Sequence, residues 1–211
     1  MIVGANFWIL GAIQPQFHGS VGNGALVGAM LTAFAVVAAA IAYLLVRNGG
    51  LIRFIQLGLG LLAACLSVAS WALLRALLTD DFSLACVVGH SEKSLGLMYK
   101  IAAFWAGQEG ALRLWAWVLG LMGVLMAWKL RKAEGAFSAV TLGVMALATG
   151  FFVALMLGVA DPFKPALEAV KDGHGLNPAL QNLAMVFHPP MLFLGYAGFT
   201  APFAYLLGGL F

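Results

Sequence analysis

The sharpest chemical arrangement in this chain is Phe187-His188-Pro189-Pro190, which ends a polar approach and opens an apolar run to Phe211. Proline is tolerated in the first turn of a helix, where its missing N–H has no partner anyway. Pro189-Pro190 therefore predicts a helix start, with His188 just outside it in an extended conformation. That places an imidazole at the mouth of an apolar helix, where it can serve as an axial ligand or a proton carrier. A hydrogen-bonded structural histidine is the competing reading. Iron held by two histidines needs a second one. His18, His90 and His174 are available, but no spacing selects among them.

A second set lies in Met98–Trp117. Gln108, Glu109 and Arg113 stand where a further apolar run begins. Glu109 and Arg113 are four apart, so on a helix they share a face and are expected to pair. Ionisable groups at such a depth are costly and point to a functional site unless they only neutralise each other. Trp105, Trp115 and Trp117 read either as an interfacial aromatic belt or as a surface on which a cofactor stacks. Cys65 and Cys86 form no CxxC pair and read as buried or unpaired thiols. The chain carries no HExxH, zinc cluster, nucleophile elbow or phosphate loop.

The elements that must position these residues follow from composition. Of 211 residues, 63% are hydrophobic and 9% charged, with a mean hydropathy of +0.99. These values exclude a soluble domain and predict an all-α, polytopic transmembrane helix bundle. About five spans are long enough to cross a bilayer, near residues 24–46, 54–78, 110–128, 137–159 and 190–211. Barrel strands would alternate apolar and polar residues, and these runs do not. Residues 1–21 form a short apolar piece, too short to span, that reads as an interfacial segment or a mis-called start. No basic start marks a cleavable signal. Gly143, Ala146, Gly150 and Ala154 give the fourth span a small-residue face suited to close packing.

Charge sets the expected orientation. Arg47, Arg53, Lys129, Arg131 and Lys132 crowd two short turns against one acid, Glu134. Short basic loops stay in the cytoplasm. The N-terminus and the long loops 79–109 and 160–189 are then outside, with Phe211 inside. In a bacterium that puts His188 and the other histidines on the periplasmic face of the inner membrane. The net charge of +3 reports topology, not a nucleic-acid partner.

Three stretches, in order, resemble one family. Met98-Tyr-Lys-Ile-Ala-Ala-Phe-Trp-Ala-Gly-Gln-Glu-Gly-Ala-Leu-Arg-Leu-Trp115 is similar to the segment entering a membrane helix in CcmF/NrfE-type cytochrome c biogenesis proteins. Asn177-Pro-Ala-Leu-Gln-Asn182 and Phe187-His-Pro-Pro-Met-Leu-Phe-Leu-Gly-Tyr-Ala-Gly-Phe199 resemble that family's signature, and Asp161-Pro162-Phe163 sits where it has Asn/Asp-Pro-Phe. The resemblance covers residues 22–211, taken as one membrane domain, and corresponds to the N-terminal part of the family protein. Ala106, Ala111 and Arg113 stand in place of the usual Gly, Ser and Leu, and Leu183 in place of Pro.

The resemblance implies a part of a haem lyase, either a split subunit or a truncated product, inactive alone. In the family, haem b in transit is joined to the cysteines of an apocytochrome c on the periplasmic face. It implies that His188 is an axial ligand to the haem iron. Trp105, Gln108, Glu109 and Arg113 would line the site. The expected partners are a haem-carrier protein, apocytochrome c, membrane lipid and the remaining half of the lyase. That half would bring the tryptophan-rich segment and the second ligand. A membrane scaffold without haem contact is the alternative. A small-solute transporter fits less well, because no internal repeat or pair of broken helices is visible.

Overall fold

The computed structural model describes residues 5–133, 135–168 and 170–211, so the first four residues, Glu134 and Ala169 lie outside the described residues. Seven α-helices follow in order: α1 (Ala5–Val46), α2 (Gly49–Leu78), α3 (Ala85–His90), α4 (Leu97–Ala103), α5 (Gly107–Lys129), α6 (Ala136–Gly158) and α7 (Leu183–Gly208). No strand occurs among the described residues, only an isolated bridge between Leu84 and Pro165. Five helical stretches are long and apolar enough to cross a membrane: Phe17–Val46, Gly49–Leu78, Gly107–Lys129, Ala136–Gly158 and Val186–Gly208. The all-helical, five-span expectation holds.

The ends of these helices differ from the expected spans. The first turn shrinks to Arg47 and Asn48. Asn48 caps α2 by accepting from Gly50 N at 2.8 Å, so the helix starts at Gly49, not near Phe54, and takes in Arg53. α1 is one continuous helix from Ala5 through the first span. The largest difference is at α7. It begins at Leu183, so Pro189 and Pro190 lie inside it and His188 is a helical residue. Helix bonding starts upstream, where Val186 N donates to Asn182 O at 3.2 Å. The two prolines fall early enough to forfeit only bonds near the helix entrance.

α1, α2, α5 and α6 form a ring in which α1 packs on α2 and α6, and α5 on the same two; α7 lies against α5 and α6. The small-residue face of α6 meets α1. An added Cβ at Gly143 would stand 2.6 Å from the Ala40 Cβ, and one at Gly150 3.0 Å from the Ala33 Cβ. Backbones this close leave no room for larger side chains.

At one end of the ring the two long loops interlock into a cap. Ala85 N donates to Lys164 O at 2.9 Å, Ala166 N to Ser83 O at 2.8 Å, and His174 N to Val88 O at 2.8 Å. Lys93 N donates to the Asp172 carboxylate at 2.9 Å. Two consecutive acids fasten the cap to the bundle. Asp80 binds Lys100 Nζ of α4 at 2.5 and 2.7 Å, and Asp81 accepts from His18 Nδ1 of α1 at 2.8 Å. The short basic turns lie at the opposite end.

Candidate functional site

The site is organised on the turn between α4 and α5. Gly107 opens α5 with φ +72°, the left-handed region that suits glycine. A side chain there would also collide with the His90 ring at Nε2 and come within 3.2 Å of Glu109 Oε2. His90 and Glu109 thus both approach the space that a side chain at this position would fill. His90 Nδ1 lies 3.0 Å from Cys86 O. A carbonyl only accepts, so Nδ1 donates this bond and Nε2 is turned to the Gly107 side. Burial pushes the Cys86 thiol up to about 12, which makes it a packing residue and not a nucleophile.

Beside this turn is a small cavity of about 150 Å³. Trp105 and Gly107 line it from the turn, Leu176 and Leu180 from the long loop, and Pro189 from α7. The two stretches singled out in the sequence therefore meet in space. His188 precedes Pro189 on α7 and is exposed, with no hydrogen bond or ion pair among the described residues. Gln108 is exposed in the first turn of α5, and Glu109 is half-buried.

Arg113 behaves differently from expectation. It is fully buried, and among the described residues it makes no ion pair with Glu109 or any other acid. Its guanidinium lies 3.9 Å from the Phe104 ring centroid and donates weakly to Ala69 O at 3.4 Å and Phe104 O at 3.5 Å. The reason is position: residue 113 faces α2 and the end of α4, where an aromatic face and a carbonyl stand in for a carboxylate. Glu109, one turn earlier, faces His90 instead.

The three tryptophans do not share a surface. Residues two apart on a helix point nearly opposite ways. Trp115 packs between α6 and α7, with ring centroids 4.5 Å from Phe152, 5.7 Å from Phe193 and 5.3 Å from Tyr196. Trp117 turns towards α2 and donates to Ser67 Oγ at 2.9 Å. Only Trp105 stays with the candidate site. Among the histidines, His18 is tied to Asp81 and His174 is exposed on the loop, which leaves His90 and His188 near the turn. Nothing in the sequence marks His90, because a loop and α4 separate it from Gly107. No group of three metal-binding side chains occurs among the described residues.

These features define a multi-pass membrane protein with an imidazole-bearing site at the capped end of its bundle. Residues 105–211, just over half the chain, match the family described as Cytochrome C assembly protein. The chain is 38% identical over 131 residues to the cytochrome c-type biogenesis protein NrfE of Haemophilus influenzae, covering 62% of this chain and 21% of that one. It is 37% identical over 150 residues to the cytochrome c-type biogenesis protein CcmF of Pseudomonas aeruginosa, covering 71% of this chain and 22% of that one. A solved structure named Cytochrome c Heme Lyase CcmF superposes with a TM-score of 0.76 and 25% identity, over 90% of this chain and 30% of that one. The chain belongs to the cytochrome c assembly protein family. It spans about a fifth of the length of the curated relatives named here.

Proposed function

We propose that this chain is the N-terminal membrane portion of a cytochrome c haem lyase and helps to present haem b for attachment to apocytochrome c. One observation carries the reading: His188, exposed and unpaired among the described residues, directly precedes Pro189, which lines the cavity at the α4–α5 turn. An unencumbered imidazole is the donor that an axial position on haem iron requires. The described residues fit haem in part. His188 supplies one axial ligand, while a cavity of about 150 Å³ accepts an edge and not a whole macrocycle. Beside His188, Trp105 and Gly107 would help to hold the haem, and Gln108 and Glu109 would offer it polar contacts. Arg113 is withdrawn from that lining by its burial. When bound, the haem supplies the vinyl groups that become thioether links to the apocytochrome.

The second ligand and the tryptophan-rich segment would come from the remaining part of the lyase, with a haem-carrier protein delivering the haem. The short turns bearing Arg47, Lys129, Arg131 and Lys132 support a cytoplasmic placement of that end and a periplasmic placement of the cap, in a bacterial inner membrane. The close α1–α6 contact favours one other reading, a scaffold that touches no haem.

The test is His188→Ala in the complete lyase. The expected outcome is loss of the haem absorbance that copurifies with the complex and a lower yield of mature cytochrome c. Unchanged absorbance and unchanged yield would sink the haem reading. If only changes on the Gly143 face then disrupted the complex, the scaffold would stand.

A further inference from the structure

The end of the bundle opposite the cap carries its charge in two places. Arg47 and Arg53 stand where α1 passes into α2, and Lys129, Arg131 and Lys132 where α5 passes into α6. All five are exposed, and none forms an ion pair among the described residues. The fold joins the two places. Gln56 Nε2 of α2 reaches across to Leu130 O at 3.5 Å. Arg53 and Gln56 are three apart and share a face of α2, while Arg131 follows Leu130 directly. The two arginines therefore flank one contact between the turns. Arg131 is also held in place. Its Nη1 donates to Trp128 O at 2.9 Å, and its guanidinium lies 4.8 Å from the Trp128 ring centroid. Trp128 is exposed at the end of a membrane-spanning helix, where tryptophan sits at headgroup level. Arg47 holds φ +54°, a conformation that glycine or asparagine adopts at less cost. α2 and α6 both start at this end, with no acidic residue in the first turn to meet the positive pole of either helix.

We propose that this end of the bundle is a docking surface for the headgroup of an anionic phospholipid, with Arg53 and Arg131 as its phosphate contacts. Charge complementarity selects the occupant. Five cations stand here against one acid in the sequence, Glu134, so a zwitterionic headgroup leaves positive charge unmatched. A guanidinium presents its N–H groups as a planar fork that fits phosphate oxygens. Depth agrees. α2 has 30 residues and rises about 45 Å against a hydrocarbon core of about 30 Å, which leaves about 7 Å at each end. Arg53, four residues past Gly49, lies about 6 Å from the helix start, so its backbone is at the core boundary and its long side chain reaches the phosphates. The occupant comes from the bilayer. Leu57, four residues beyond Arg53 and 76% exposed, continues the same face of α2 into the apolar layer, where an acyl chain lies. Sorting of the chain across the membrane accounts for the sign of these turns. It does not account for the Gln56 contact, the Trp128 stack or the strained Arg47. The surface is remote from the haem reading and independent of it.

The experiment is native mass spectrometry of the full chain released from mild detergent after incubation with equal amounts of phosphatidylglycerol and phosphatidylcholine bearing the same acyl chains. Phosphatidylglycerol should be retained about 25-fold over phosphatidylcholine, because each nearby cation favours a net negative headgroup by about 5-fold and two are placed on it. Arg53→Gln combined with Arg131→Gln should erase that preference. Arg75→Gln removes an exposed cation at the capped end of α2 and should leave it unchanged. Excess inorganic phosphate should not displace the lipid, since the acyl chains hold it as well as the charge. Should the double variant lose helical content by circular dichroism, the two-lipid comparison and the phosphate competition on the native chain decide the matter without it. Equal retention of the two lipids, a preference that survives in a folded double variant, an equal loss in Arg75→Gln, or displacement by inorganic phosphate would overturn the proposal.

Discussion

Replacing Gly107 by alanine probes the geometry of the candidate site directly. Two costs add. A non-glycine residue at φ +72° costs roughly 1–2 kcal/mol. The new methyl also displaces the His90 ring, which breaks the 3.0 Å bond from Nδ1 to Cys86 O and costs roughly 0.5–1.5 kcal/mol. The sum is roughly 1.5–3.5 kcal/mol. The two terms separate in a double-mutant cycle, because His90→Ala removes the obstacle but not the backbone strain. Gly107→Ala should therefore cost only about 1–2 kcal/mol in the His90→Ala background, giving a coupling of about 1 kcal/mol. The assay is equilibrium unfolding in mixed micelles, with circular dichroism as the probe. An additive cycle, in which Gly107→Ala costs the same with and without His90, would show that the ring does not pack on this backbone.

Gly143→Ala should destabilise the bundle by roughly 1–3 kcal/mol through overpacking, and Ala40→Gly should restore much of it in the same unfolding assay. Lys100→Ala leaves Asp80 partly buried without its cation and should cost about 1–3 kcal/mol, between the values for exposed and buried pairs, with α4 exchanging its amide protons faster. The Lys93 backbone N–H holds the Asp172 carboxyl below its ordinary value near 3.8. A lowered folded value means the contact contributes above the unfolded pKa and is lost as pH falls through the folded one. Proteolysis of the 160–182 loop should accelerate below pH 3.8 in the native chain, and Asp172→Asn should flatten that dependence. With its thiol pushed up to about 12, Cys86 should resist alkylation at pH 8 until the chain is unfolded, as read by peptide mapping.

The spans were legible because an apolar run of bilayer length is a one-dimensional signal, and Gly143 and Gly150 announced their close contact by size alone. Tertiary placement was not legible. Pro189-Pro190 marked a helix entrance, but helix bonding that starts at Asn182 and Val186 pulled the boundary upstream and brought His188 into α7. Glu109 and Arg113 have pairing spacing, yet Phe104 and Ala69 compete for the guanidinium from outside the helix, and spacing within one helix does not register them. Asp80 and Asp81 open the loop 79–109, yet each acid binds a different helix through contacts 20 and 63 residues away. His90 joined the site for the same reason, through a fold that returns α3 to the start of α5.

The interlocked cap has a consequence in time. Lys93 waits for Lys171 and Asp172, 78 and 79 residues later in the chain, and Tyr99 for Gln181, 82 residues later. At 5–20 residues per second that delay is roughly 4–16 s of synthesis. During it the first loop stands with its future partners not yet made, held by Asp80 to Lys100 and by Asp81 to His18, both already complete. Pro189 closes the cavity beside Gly107 only when the last helix enters. The cavity at the capped end is thus completed last, after the two acid anchors beside it.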